Sequence, residues 1–159
     1  MAIKTLFATR SIMPVVVLDR VEDAVPLAQA LLAGGISSME ITLRTAAGIA
    51  AIEAVASNVP QMLVGAGTVL SVAQMRDVAA AGARFVVSPG FTDALADYAQ
   101  QQQVAWLPGV ATASEIMRAR EAGMSHVKFF PAEALGGAAM LKQLAAVFRD
   151  VRFCPTGGV

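Results

Sequence analysis

Seven short apolar runs, each closing on glycine, proline or a polar residue, constrain the fold of this chain more than any other feature. They are "MPVVVLDR" (13–20), "SMEITLRT" (38–45), "QMLVGAGT" (61–68), "ARFVVSPG" (83–90), "VAWLPG" (104–109), "HVKFFPAE" (126–133) and "VRFCPTGG" (151–158). Alanine- and leucine-rich segments of helical length lie between them, such as "VEDAVPLAQALLA" (21–33), "VAQMRDVAAA" (72–81) and "GAAMLKQLAAVF" (137–148). Ser71 and Thr92 stand at N-cap positions, and Thr112 with Glu115 has the spacing of a capping box. Gly34, Gly82 and Gly123 stand where C-terminal glycines belong. Strands alternating with helices every 20 to 25 residues or so indicate repeated βα units on a parallel sheet.

Such units build either an open doubly wound sheet or a closed barrel. Here polar residues gather at the C-terminal ends of most strands, where an open sheet would concentrate them at one switch point. The expectation is a (β/α)8 TIM barrel, one domain over residues 1–159, with about seven βα units present. An eighth unit is expected to follow, so the domain reads as C-terminally incomplete, part of a chain of roughly 200 residues or more.

Composition narrows the function classes. Apolar residues make up 56% of the 159 and charged residues 15%, so most elements are covered on several sides. Twelve cations balance twelve anions, which gives no electrostatic basis for binding nucleic acid or an anionic membrane surface. No apolar run approaches the roughly 20 residues of a membrane helix, and "MAIKTLFATRSIMP" lacks a continuous signal-peptide core. The single cysteine, Cys154, makes no internal disulfide, in keeping with a reducing cytoplasm.

Two strands break the apolar rule. In "HVKFFPAE", Val127 and Phe129 face one way and Lys128 and Phe130 the other. With the first pair against the helices, Lys128 projects into the barrel near its C-terminal mouth. Lysine is rarely buried unpaired, and burial disfavours its charged form. It is therefore either half of a buried ion pair or a nucleophilic amine. In "MEITLRT", Met39, Ile41 and Leu43 form the apolar face, and Glu40, Thr42 and Arg44 face inward. A carboxyl there can shuttle protons and a guanidinium can clamp a carboxylate.

Other strand ends add small groups. "GAGT" offers two glycines and the Thr68 hydroxyl where a ligand can approach the backbone. "PTGG" offers Thr156 and the amides of Gly157 and Gly158, where barrels often bind phosphate. Pro89 of "SPG" lines the pocket. His126 and the scattered methionines read as structural, and no His/Cys/Asp cluster has metal-ligand spacing.

At these residues the sequence resembles a known family. "EITLRT", "VGAGTVL", "VSPG", "KFFPAE" and "FCPTGG" are similar, in order and spacing, to motifs of the bacterial 2-keto-3-deoxy-6-phosphogluconate (KDPG) aldolases, which also cleave 4-hydroxy-2-oxoglutarate (KHG). The resemblance implies a class I aldolase, a lyase without metal or other cofactor, acting on a 2-keto acid phosphate as a cytoplasmic homotrimer. It implies Lys128 as the Schiff-base lysine and Glu40 as the general acid/base. Arg44 and Thr68 would bind the pyruvyl carboxylate, and Thr156 and Phe130 would line the pocket. Three alternatives stay open: the galactonate-epimer aldolase, a phosphate-binding barrel decarboxylase or isomerase, and a non-catalytic scaffold.

Overall fold

The computed structural model describes Ile3 and residues 12–158. Val159 and most of the N-terminal segment read above for targeting, with Lys4 in it, lie outside the described residues. Every recorded strand pair is parallel, and among the described residues strand and helix alternate except at 106–110, where two short strands follow each other. The order is β1 (Val15–Val16), α1 (Ala24–Ala33), β2 (Ser38–Thr42), α2 (Gly48–Asn58), β3 (Leu63–Gly67), α3 (Val72–Ala80), β4 (Val86–Val87) and α4 (Asp93–Gln101). It continues with β5 (Trp106–Leu107), β6 (Gly109–Val110), α5 (Ala113–Glu121), β7 (His126–Phe129), α6 (Gly137–Val147) and β8 (Arg152–Pro155). β1 to β5 form one ladder in sequence order and β6 to β8 a second.

The seven expected strand positions are all occupied, but the fifth is split. Pro108 separates β5 from β6, because a proline has no N–H to give a ladder. Its carbonyl still accepts from the Lys128 N–H at 2.8 Å, so the interrupted position still bonds to β7.

Side-chain alternation divides the buried residues into an outer layer and an interior. Met39, Ile41, Val64, Ala66, Val86 and Trp106 pack outward against the helices with Ala28, Ile52, Val55, Met75 and Val78. Val127 and Phe129 do the same against Ile116, Ala119, Leu144 and Phe148. The opposite parity fills the interior, where Phe85, Val87, Ala105 and Leu107 cluster with Leu63, Met13 and Cys154. Only period-two strands buried on both faces give this division. Gly65 belongs to the interior set, and a Cβ built on it would overlap the Phe85 ring. The missing side chain is what lets that ring lie across the barrel.

Helix ends follow the sequence with one correction. Ser71 Oγ accepts from Gln74 N–H at 3.2 Å, Thr92 Oγ1 from Leu95 N–H at 3.3 Å, and Thr112 with Glu115 closes a reciprocal capping box. At the end of α1, however, the left-handed residue is Gly35 (φ 82°), while Gly34 keeps φ −82°. The expected segment 21–33 also begins with a 3-10 turn, Val21–Asp23, before α1 proper.

Candidate active site

Lys128 Nζ lies 3.5 Å from Glu40 Oε1. β2 and β7 belong to the two different ladders, four strand positions apart when β5 and β6 count as one, a span of about 19 Å if the strands lay flat at roughly 4.8 Å each. The contact exists because the sheet curls on itself, and the pair faces across its interior. Both side chains are buried, at 6% and 1% exposure. The two alternatives for Lys128 therefore coincide: the amine is ion-paired, and its partner is a carboxyl placed to exchange protons with it. At 3.5 Å the contact is long for a charge-assisted hydrogen bond, which normally closes to 2.7–2.9 Å.

Burial pushes the Glu40 carboxyl above its ordinary value of 4.5. The charge and hydrogen bond of Lys128, and the charge of Arg44, pull the other way without overcoming it. A carboxyl that retains its proton more readily than in water is suited to act as both acid and base. Gly67 supplies the room. A Cβ built there would overlap Glu40 Oε1, so the carboxyl occupies the space over this glycine. The two glycines of "GAGT", expected to admit a ligand close to the backbone, admit the protein's own side chains, Phe85 at Gly65 and Glu40 at Gly67.

The remaining candidates surround this pair to different degrees. The Phe130 ring centroid is 5.1 Å from Lys128 Nζ, although β7 ends at Phe129 and Phe130 lies in the turn just beyond the strand where alternation had placed it on the Lys128 face. A Cβ on Gly157 would stand 3.4 Å from that ring, so the β7 and β8 ends pack together. Ala132 N–H donates to Thr156 O at 2.8 Å and Glu133 N–H to Gly157 O at 3.0 Å, tying the two loops by backbone. Thr156 Oγ1 is 3.5 Å from the Cys154 carbonyl, and Cys154 is registered with Lys128. Burial raises the Cys154 thiol above its ordinary value, and the Glu40 charge acts in the same direction. Gly157 and Gly158 both have left-handed backbones, φ 96° and 80°, a conformation that turns consecutive amides out of the strand pattern.

Arg44 corrects the inward alternation expected of it. β2 ends at Thr42, so Leu43 and Arg44 lie in the following turn and Arg44 is exposed at the rim. It reaches the site through its charge on Glu40. Thr68 is half-buried just beyond β3 with a left-handed φ of 59°, rare for a β-branched residue. Pro89 is half-buried, its carbonyl held against Gly109. Among the described residues neither Thr68 nor Pro89 has a recorded bond to the Lys128–Glu40 pair. His126 shares a 3.1 Å hydrogen bond with Ser125 Oγ at the start of β7.

Thr42 follows Glu40 on the inward face, and its hydroxyl is buried without a recorded partner. The alternation in "MEITLRT" placed it there, but a threonine in a strand gives no signal beyond β propensity.

The KDPG and KHG aldolase family model matches residues 3–159. A 2-dehydro-3-deoxy-phosphogluconate aldolase of Treponema pallidum is 53% identical over 93% of this chain and 70% of its own length. The structure of a KDPG aldolase from Legionella pneumophila, with pyruvate captured at low pH as a covalent carbinolamine intermediate, superposes with a TM-score of 0.96. It is 48% identical and matched over all of this chain and 77% of its own. The Zymomonas mobilis ZM4 2-keto-3-deoxy-6-phosphogluconate aldolase with 3-phosphoglycerate gives a TM-score of 0.95 at 46% identity, over 99% and 75% of the two chains.

Proposed function

The chain belongs to the KDPG and KHG aldolase family, and on that premise we propose that it is a class I aldolase using Lys128 as its Schiff-base lysine. Its substrates are KDPG, cleaved to pyruvate and glyceraldehyde 3-phosphate, and KHG, cleaved to pyruvate and glyoxylate. The observation that carries the reading is the buried Lys128–Glu40 pair, an amine and a proton-retaining carboxyl facing each other across the interior. The carbinolamine trapped in the Legionella pneumophila relative supports the same chemistry.

In this reading the Lys128 amine attacks C2 of the keto acid, and the C2–O π pair moves onto oxygen, which takes the proton of the Glu40 carboxyl to become a hydroxyl. Glu40 takes a proton from nitrogen and delivers one to that hydroxyl, which leaves as water to give an iminium. The Glu40 carboxylate then removes the C4 hydroxyl proton. The C3–C4 bonding pair flows into the iminium, and the C4 aldehyde departs. Returning that proton to C3 and adding water to C2 releases pyruvate and the free amine. The iminium nitrogen is the electron sink, so the mechanism asks for no metal. Arg44 and Thr68 receive the pyruvyl carboxylate, Phe130, Pro89 and Thr156 shape the pocket, and Gly157 and Gly158 offer amides to the phosphate. The 3-phosphoglycerate in the Zymomonas mobilis relative is a phosphorylated three-carbon ligand of the kind this end of the barrel would hold. The reading includes the homotrimer and the cytoplasmic location implied by the family resemblance. Among the described residues no helix is long and apolar enough to cross a membrane.

The test is covalent trapping. The chain has three lysines, Lys4, Lys128 and Lys142. Pyruvate with borohydride should add one reduced adduct, mapped by peptide mass spectrometry to Lys128. No adduct, or one confined to Lys142, removes the Schiff-base mechanism.

A further inference from the structure

Among the described residues two buried side-chain atoms lack a hydrogen-bond partner, Glu40 Oε2 and Thr42 Oγ1. They belong to one face of one strand, two residues apart. Thr42 is registered with Gly67, and the space over Gly67 is where the Glu40 carboxyl lies. The carboxyl therefore sits in the layer of Thr42, with Lys128 on its other oxygen. A buried hydroxyl left unsatisfied is costly, and native interiors pair nearly all such groups. We propose that Thr42 is a positioning residue for the proton transfers of Glu40. Its hydroxyl is the partner of Glu40 Oε2 through one bridging water. The proposal rests on the Schiff-base reading above.

A hydroxyl suits this task because it both donates and accepts. It donates to the carboxylate and accepts from the carboxylic acid, so Oε2 is held in both states while Oε1 stays directed at Lys128. Neither Val nor Ala at this position can do either. The charged and titratable groups around Glu40 are Lys128 on β7, Arg44 beyond β2 and Cys154 on β8. None of them has a recorded hydrogen bond to Oε2.

Thr42→Val and Thr42→Ser separate this role from packing. If Thr42 only fills space, the valine isostere removes an unsatisfied hydroxyl, and its turnover and melting temperature match or exceed the parent's. If Thr42 positions Glu40, Thr42→Val melts no lower yet loses about tenfold in kcat on KDPG, the scale of one hydrogen bond. The acidic limb of its pH profile then moves to higher pH, because the carboxylate has lost a donor. Thr42→Ser restores most of the rate and the limb. Parental kcat and limb in Thr42→Val overturn the proposal, as does equal impairment of both variants. A ¹³C-NMR titration of the Glu40 carboxyl, assigned with Glu40→Gln, decides the matter without turnover. It should move upward in Thr42→Val and hold in Thr42→Ser, and an unmoved titration overturns the proposal. Absence of the pyruvate adduct in the parent would instead refute the aldolase reading, leaving the titration to judge Thr42.

Discussion

The barrel interior carries two sets of inward side chains that are equally buried and chemically opposed. In its apolar cluster Phe85, Val87, Ala105 and Leu107 pack with Leu63, Met13 and Cys154. At Glu40, Thr42 and Lys128 the interior holds an amine against a carboxyl, and two oxygens without a recorded partner. Burying apolar surface contributes about 25 cal/mol per Å², whereas each buried ion costs several kcal/mol before its partner repays any of it. The first set therefore stabilises the barrel, and the second gives up stability for reactivity. Two glycines on β3, two residues apart, make the difference concrete: Gly65 admits an aromatic ring and Gly67 a carboxyl.

The largest test of the contrast is Glu40→Gln. Turnover on KDPG should fall by roughly 10²- to 10⁴-fold while pyruvate still adds to Lys128, since the amide cannot shuttle protons. Normal turnover would reduce Glu40 to a counterion. The same variant should also reveal the cost of the buried carboxyl. A folded-state pKa raised above the unfolded one adds stability below the ordinary carboxylate value, and that stability is lost as pH rises through the raised value. Urea melts from pH 4 upward should show the parent losing stability relative to Glu40→Gln with rising pH. Parallel curves would mean that Glu40 is not perturbed.

Paired glycine substitutions come next. Gly65→Ala meets the Phe85 ring, boxed in on all sides, and should cost about 1–3 kcal/mol of unfolding free energy. Gly67→Ala meets the Glu40 side chain from Cγ to Oε1 and displaces its carboxyl. It should lose on the order of 10² in turnover, as displaced catalytic groups do, where Gly65→Ala loses little. If both variants lost activity alike, the two sets would not be distinct.

The smallest effect belongs to the rim. Arg44→Lys keeps the positive charge near Glu40 but loses the bidentate fork. Pyruvate affinity, measured by adduct formation against concentration, should weaken by roughly 5- to 10-fold, the scale of one charge-assisted hydrogen bond. The Glu40 titration should barely move. Unchanged affinity would count against Arg44 as the carboxylate clamp.

The seven apolar runs and the helices between them were legible because period-two and helical patterning are local properties, and all seven strand positions formed. So was the inward parity of Glu40 and Lys128, since alternation within a strand needs no knowledge of its neighbours. The break at Pro108 and the shift of the left-handed position from Gly34 to Gly35 depend on how each turn meets the next ladder, and the motif residues do not encode that. Arg44 extended the alternation in sequence, but β2 stops at Thr42 and the following turn carries it to the rim.

By itself the sequence determined which side chains break the apolar rule and on which face of their strands they lie. Only the tertiary structure decided that Lys128 and Glu40, 88 residues apart, meet within 3.5 Å. Only it put the Glu40 carboxyl over Gly67 in the layer of Thr42. Alternation is set by the backbone of one strand, but convergence is set by the curl of the whole sheet, summed over every strand-to-strand step between β2 and β7.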